Sequence, residues 1–220
     1  MPVMKKCRSA KNNRVLPVNH VLLLAVILPF ALACNSNKEA KLFELLPSTE
    51  TGIKFNNELI ESDTFNVITF EYIYNGAGVG VGDVNNDGLT DIFFAGNMVS
   101  SSLYLNRGDF KFEDITGKAS LNTTLWCTGV AMIDINQDGL LDIYISTIQP
   151  HINKPAVPNL LYINKGVGSD GIPVFEEVAA KVGLAYLSYA TQAVFLDYDL
   201  DCDLDMYMLT NALETYNRNQ

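Results

Sequence analysis

The sequence predicts an all-β fold built from repeated units of four short antiparallel strands. Three observations point to it. The nine-residue stretches "DVNNDGLTD" (Asp83 to Asp91), "DINQDGLLD" (Asp134 to Asp142) and "DYDLDCDLD" (Asp197 to Asp205) repeat one spacing of acids and amides. Each is flanked by apolar and β-branched residues that alternate with a period of two, as in "TGVAMIDI" and "DIYISTI", which marks strands rather than helices. Long amphipathic helical patterns are not evident, and "EEVAAKVG" supplies one or two turns at most.

The chain opens with an export pattern over residues 1–33. Residues 1–34 hold five basic residues (Lys5, Lys6, Arg8, Lys11, Arg14) and no acids. The apolar run "VLLLAVILPFALA" (Val21 to Ala33) follows, too short for an ordinary membrane span and suited to a signal peptide. Two processing routes fit. Ala31-Leu32-Ala33 suits ordinary cleavage and a secreted product. "ALAC" also looks like a bacterial lipobox, with Ala31 where Leu is usual, and would make Cys34 the lipid-bearing first residue of an outer-membrane or cell-surface lipoprotein. Residues 34–42 read as a polar tether. The only membrane attachment expected is the lipid at Cys34.

Residues 43–220 form the repeat region. In the first unit "TFEYIYNGAGVGVGDV" leads into its acidic loop, "DIFFAGN" leaves it, and "SLYLN" and "FKFEDIT" follow across the turn "NRGDF". In the second unit "TGVAMIDI", "DIYISTI", "NLLYINKG" and "PVFEEVA" repeat that order. The third begins with "TQAVFLDY", leaves with "DMYMLTNA" and stops at Gln220. The loops start at residues 83, 134 and 197, and the wider second interval accommodates "QPHINKPAVPN" and "GVGSDGI". Four short strands at this period signal a β-propeller or a similar all-β array. About two complete blades and part of a third cannot close a propeller of four to eight blades. The chain is therefore expected to be an N-terminal fragment of a longer protein, or to be completed by another chain.

Charge narrows the partners. Without residues 1–34 there remain 25 acids against 10 bases, a charge of -15. Such a surface repels nucleic acid and anionic lipid and suits cations or basic partners. Eleven of the 25 acids lie in the three loops, which localises the charge and points to neutralisation by bound metal. Cys127 and Cys202 are the only cysteines of the body, too few for a disulfide framework; two buried free thiols are expected.

Loop chemistry points to Ca2+, about three ions in all. This hard cation takes six to eight oxygens in a flexible shell. Side-chain oxygens at positions one, three and five can converge in a tight loop, position seven offers a carbonyl, and an acid at nine closes the shell. The donors are then Asp83, Asn85, Asp87, the carbonyl of Leu89, and Asp91. The second set is Asp134, Asn136, Asp138, the carbonyl of Leu140, and Asp142. The third is Asp197, Asp199, Asp201, the carbonyl of Asp203, and Asp205. Position six, which needs freedom for a sharp turn, is Gly88, Gly139 and, in the third loop, Cys202. An EF-hand would require Glu at position twelve between helices, where Phe94, Ile145 and Met208 stand in strand-like runs. Zn2+ would want nitrogen and sulfur donors, of which the body offers His151 and two scattered cysteines. Mg2+ is an alternative, and metal-free Asp/Asn/Gly turns are the other.

The leading strand, D-x-[DN]-x-D-G-x-x-D loop and following strand resemble the FG-GAP/VCBS repeats. "YNGAGVGVGDVNNDGLTDIFFAGN", "LYLNRGDFKFEDIT" and "TGVAMIDINQDGLLDIYIS" are similar to the bacterial ASPIC/UnbV proteins related to cartilage acidic protein. The resemblance covers about residues 43–220. It implies integrin-alpha-like propeller blades of four antiparallel strands, calcium in the hairpin loops, and a cell-surface or secreted place. The ASPIC/UnbV segment itself would lie further C-terminal.

The function expected is a non-enzymatic, calcium-binding extracellular module that meets a protein or glycan ligand. No nucleophile elbow, P-loop or zinc-protease motif is present. "GAGVGVGD" runs into an acidic loop rather than a helix N-terminus, against phosphate binding. The alternative is the propeller part of a polysaccharide-processing enzyme, with acid and base drawn from Glu71, Glu113, Glu176 and Glu177 or from missing C-terminal sequence. Trp126, Tyr72 and Tyr74 are expected in packing between blades, and His151 in a loop.

Overall fold

The structure is a computed structural model and describes residues 42–151 and 154–211. The export signal over residues 1–33, Cys34 and all of the tether but Leu42 lie outside these residues. The repeats belong to one compact unit that begins at Leu46.

A single helical turn, α1 (Ser48–Thr51), precedes the first sheet, made of β1 (Val79–Gly82), β2 (Asp91–Phe94), β3 (Ser102–Asn106) and β4 (Phe112–Asp114). The second sheet holds β5 (Trp126–Ile133), β6 (Asp142–Ile148), β7 (Leu160–Val167) and β8 (Pro173–Glu177), followed by one turn of α2 (Ala179–Val182). The third holds β9 (Ala190–Leu196) and β10 (Asp205–Thr210). Both four-stranded sheets run in chain order, β1-β2-β3-β4 and β5-β6-β7-β8, with antiparallel neighbours. Among the described residues β10 pairs only with β9.

Repetition extends to the register. The pairs that close the three acidic hairpins are Gly82 with Asp91, Ile133 with Asp142, and Leu196 with Asp205. In every sheet the ninth loop residue is therefore also the first residue of the second strand.

Alternation along β6 explains its burial on both faces. Ile143 and Ile145 join Phe93, Leu103, Leu105 and Phe175 in the core beside the first sheet. Tyr144 turns the other way, into a core with Leu161 and Ala193, and its ring meets Phe195 edge-on at 5.4 Å. Each fully buried Ile or Phe contributes about 1.5–3 kcal/mol. Among the described residues the third sheet is covered on one face only: Phe195, Met206 and Met208 pack inward, while Val194, Tyr207 and Leu209 stay exposed.

The aromatic run "TFEYIY" is not the strand its alternation predicts. It folds as tight turns, in which the Phe70 N–H donates to the Asn66 carbonyl (2.9 Å) and the Ile73 N–H to the Phe70 carbonyl (3.1 Å). The reason is burial. Phe70 and Ile73 both face a cluster with Phe65, Trp126 and Ile148, and residues three apart cannot share a face of a strand. Trp126 meets Phe65 and Phe70 edge-on at 5.6 and 5.4 Å. His151, a loop residue, sets its ring 4.7 Å from Phe65. Tyr72 packs at the margin of this cluster, but Tyr74 stands in solvent at 62% exposure rather than in packing. Cys127 and Cys202 are both free; Cys127 is buried as expected, whereas Cys202 is exposed because it sits in a loop.

"GAGVGVGD" has a packing role. A Cβ on Gly78 would lie 2.6 Å from the Val130 backbone nitrogen, and one on Gly80 would lie 2.8 Å from Val130 Cγ1 and from Met132 Cγ and Sδ. Glycines at these alternate positions let β1 lie against β5. Gly78→Ala meets rigid backbone, whereas Gly80→Ala meets only side chains, those of Met132 and Val130. Gly78→Ala is therefore expected to lower unfolding free energy by about 1–3 kcal/mol and Gly80→Ala by less, as read from urea midpoints.

Candidate functional site

Each acidic loop is held by its own carboxylates. Asp83 Oδ1 accepts the Asp87 N–H at 3.1 Å and its Oδ2 accepts the Gly88 N–H at 2.7 Å. Asp134 repeats this toward Asp138 (3.0 Å) and Gly139 (2.8 Å), and Asp197 toward Asp201 and Cys202, both at 3.1 Å. The fifth residue closes the next turn: Asp87, Asp138 and Asp201 accept the N–H of Leu89 (2.8 Å), Leu140 (2.9 Å) and Asp203 (3.1 Å). These bonds turn positions one and five into the loop.

Position three separates the first two loops from the last. Asn85 Oδ1 shares the Asp87 N–H with Asp83, at 3.3 Å, and its amide donates to Asp87 Oδ2 at 3.0 Å. Asn136 does the same with Asp138, at 3.1 and 2.9 Å. In the third loop the residue is Asp199, which has no proton to give. Asp197, Asp199 and Asp201 nevertheless bring one oxygen each within 4.8 Å of one another.

The ninth residue is the anchor. Asp91 and Asp142 are fully buried. Asp91 Oδ2 accepts the Val84 N–H at 2.9 Å and its Oδ1 the Asn106 N–H at 2.8 Å. Asp142 takes Ile135 at 3.1 Å and Asn164 at 2.8 Å in the same way. Asp205 takes the Tyr198 N–H at 3.0 Å but is exposed, as it has no third strand beside it among the described residues. Carbonyls of the seventh residues, Leu89, Leu140 and Asp203, accept no hydrogen bond among the described residues.

Position six has the left-handed backbone that its glycines predict, with φ of 85° at Gly88 and 86° at Gly139. Cys202 adopts it too, at 75°. The fourth residue is also left-handed: Asn86 at 56°, Gln137 at 58° and Leu200 at 63°. For Leu200 and Cys202 this costs roughly 1–2 kcal/mol each.

Two residues missed by the sequence reading complete the first two sites. Asn106 ends β3 and Asn164 lies within β7, the third strands of their sheets. Each gives its backbone N–H to the ninth Asp, and each side-chain oxygen accepts a following glycine N–H, from Gly108 (2.9 Å) and Gly166 (3.0 Å). The Asn106 amide donates to the Thr90 carbonyl at 3.0 Å. That of Asn164 donates to Leu141 of its own loop (3.2 Å) and to Val84 of the preceding one (2.8 Å). Their signal was present as L-Y-x-N-[RK]-G, in "LYLNRG" and "LYINKG".

Burial pushes the Asp91 carboxyl above the ordinary carboxylate value; the N–H groups of Asn106 and Val84 pull it down without cancelling the rise, and Asp87 and Asp83 push it further. Asp142 is raised by burial, with Asp138 and Asp134 adding to the effect. Exposed Asp203 is raised first by the neighbouring charge of Asp201. A folded-state value above the unfolded one adds stability that is complete below the unfolded value and is lost as pH rises through the folded one. In chelator, Asp91 and Asp142 therefore favour a higher melting temperature as pH falls from neutral into the carboxylate range. Asp91→Asn is expected to flatten that slope in melting curves taken across pH.

Three of the four glutamates weighed as acid and base are engaged elsewhere. Glu113 pairs with Arg107 (2.7 Å) and Lys118 (3.3 Å), and Glu176 with Lys165 and Lys181, all on the surface. Glu177 Oε1 accepts the Ala179 N–H at 2.9 Å. Glu71 is exposed.

No curated protein matches the chain. Residues 67–145 match the family described as an FG-GAP-like repeat. The matched stretch holds the first sheet and the first two acidic loops, and it supports an FG-GAP repeat protein.

Proposed function

We propose that the three loops each hold a Ca2+ ion and that the chain is an exported, calcium-stiffened interaction module. The donor set fits. Ligand oxygens on a calcium shell lie about 2.3–2.6 Å from the ion, so no two are more than about 5 Å apart, and the oxygens of Asp197, Asp199 and Asp201 fall within 4.8 Å. Each carboxylate oxygen engaged by an N–H keeps a lone pair for a cation. Asp83, Asn85, Asp87 and Asp91, their counterparts at Asp134, Asn136, Asp138 and Asp142, and Asp197, Asp199, Asp201 and Asp205 would hold the ion with the carbonyls of Leu89, Leu140 and Asp203. Bound calcium supplies positive charge to a cluster whose acids otherwise repel.

The single observation that supports this reading most is the threefold construction of one acidic hairpin, with the same N–H donors at the same offsets. Blades of an integrin-alpha-like propeller, kinship with the ASPIC/UnbV proteins, surface or secreted placement through Cys34 or cleavage before it, and a protein or glycan ligand complete the proposal. Binding rather than catalysis is favoured because Glu113, Glu176 and Glu177 have structural partners. Calorimetric titration of Ca2+ into chelator-treated protein is expected to give about three binding events. Absence of binding at millimolar Ca2+ overturns the reading.

A further inference from the structure

Neighbouring loops touch through one repeated contact. Asn86, the fourth residue of the first loop, donates its side-chain amide to the carbonyl of Gly139, the sixth residue of the second, at 3.1 Å. Gln137, the fourth residue of the second loop, donates to the carbonyl of Cys202, the sixth of the third, at 3.1 Å. The left-handed backbone at Asn86 and Gln137 belongs to the same pattern. The third loop has Leu200 at this place, with no donor to offer.

The receiving residue is the one that positions a carboxylate. The N–H of Gly139 holds Asp134 Oδ2 at 2.8 Å, and that of Cys202 holds Asp197 Oδ2 at 3.1 Å. One residue thus accepts from the preceding loop on its carbonyl and fixes the first acid of its own loop with its amide. A second tie runs back: the amide of Asn164, whose N–H holds Asp142, also reaches the Val84 carbonyl at the base of the first loop. An ion that orders one loop therefore orders a contact on which its neighbour's carboxylate depends.

We infer that Asn86 and Gln137 couple the three loops, so that cation binding in one raises the affinity of the next. The inference rests on the calcium reading above and adds to it a regulation of those sites. Coupling between binding sites is reciprocal. The first loop gains from the second as much as it gives. A hydrogen bond of this kind corresponds to about a 2- to 10-fold change in affinity.

A thermodynamic cycle in the full chain tests it, with Ca2+ alone as the titrant. Asp87→Ala disables the first loop. Asn86→Gly removes the amide and keeps the left-handed backbone free of strain, which alanine would not. In the native background Asp87→Ala is expected to weaken binding at the second loop about 2- to 10-fold. In the Asn86→Gly background it is expected to weaken that loop's affinity by a clearly smaller factor, the remainder running through Asn164, and Gln137→Gly is expected to uncouple the second and third loops. Thermal melting at saturating Ca2+ checks that the variants fold. Equal effects of Asp87→Ala in both backgrounds, or none in either, overturn the coupling and leave the calcium reading intact. Failure of the native chain to bind Ca2+ overturns both.

Discussion

Calcium added to chelator-treated protein is expected to raise its melting temperature in steps that follow the loops it fills. A ligand that binds only the folded chain stabilises it by about 2.7 kcal/mol per site when its free concentration is a hundredfold above Kd. In a domain of this size each kcal/mol moves the midpoint by about 2–4 °C, so each filled loop contributes roughly 5–10 °C. The gain has a local cause. Asp83, Asp87 and Asp91 carry like charges at one hairpin tip, and Asp91 is held away from water; an ion removes both penalties. The third loop gains most in proportion, since it has five acids, no asparagine amide between Asp197 and Asp201, and left-handed Leu200 and Cys202. Differential scanning calorimetry with and without Ca2+ measures the effect, and identical midpoints would contradict it.

The second large effect is expected from Asp142→Ala. This carboxylate is fully buried and accepts the N–H groups of Ile135 and Asn164 at 3.1 and 2.8 Å. Alanine leaves both donors without a partner, at about 1–3 kcal/mol each, so the metal-free protein loses roughly 2–5 kcal/mol. On the calcium reading it is also expected to lose cation binding at the second loop. Asp138→Ala is the informative contrast. Asp138 is exposed and braces only its own loop, so its loss is expected to abolish the proposed calcium binding there and to leave the metal-free midpoint nearly unchanged. Denaturation of both variants in chelator separates the anchoring role from the ligand role. Equal metal-free stability would mean that position nine is a ligand and nothing more.

The hairpins were legible because two signals coincide at them. Period-two alternation fixed the strands around each loop, and Asp at one, five and nine with Gly at six specified the turn. The single-turn helix at Ala179–Val182 was legible from the shortness of its pattern. The turns around Phe70 were not, since "TFEYIY" alternates like a strand and only the position of Trp126, some fifty residues on, decides which side chains turn inward. Asn106 and Asn164 escaped notice because their side chains bond backbone groups of neighbouring turns, partners that leave no side-chain pattern in the sequence. Asn86 and Gln137 escaped because a fourth position filled by Asn, Gln and Leu has no common chemistry until the neighbouring carbonyl is seen. Exposure of Cys202 follows from a glycine position, which burial statistics for cysteine do not anticipate.

The double reach of the Asn164 amide bears on where this molecule can be cut. One of its hydrogens serves its own hairpin and the other serves the hairpin before it. A segment excised as residues 126–182 would leave that second hydrogen unanswered and would bare the side of Ile143 and Ile145 that the first sheet covers. The smallest piece able to stand alone is therefore a tandem rather than a monad, and truncation scanned by limited proteolysis should release doublets, never singlets.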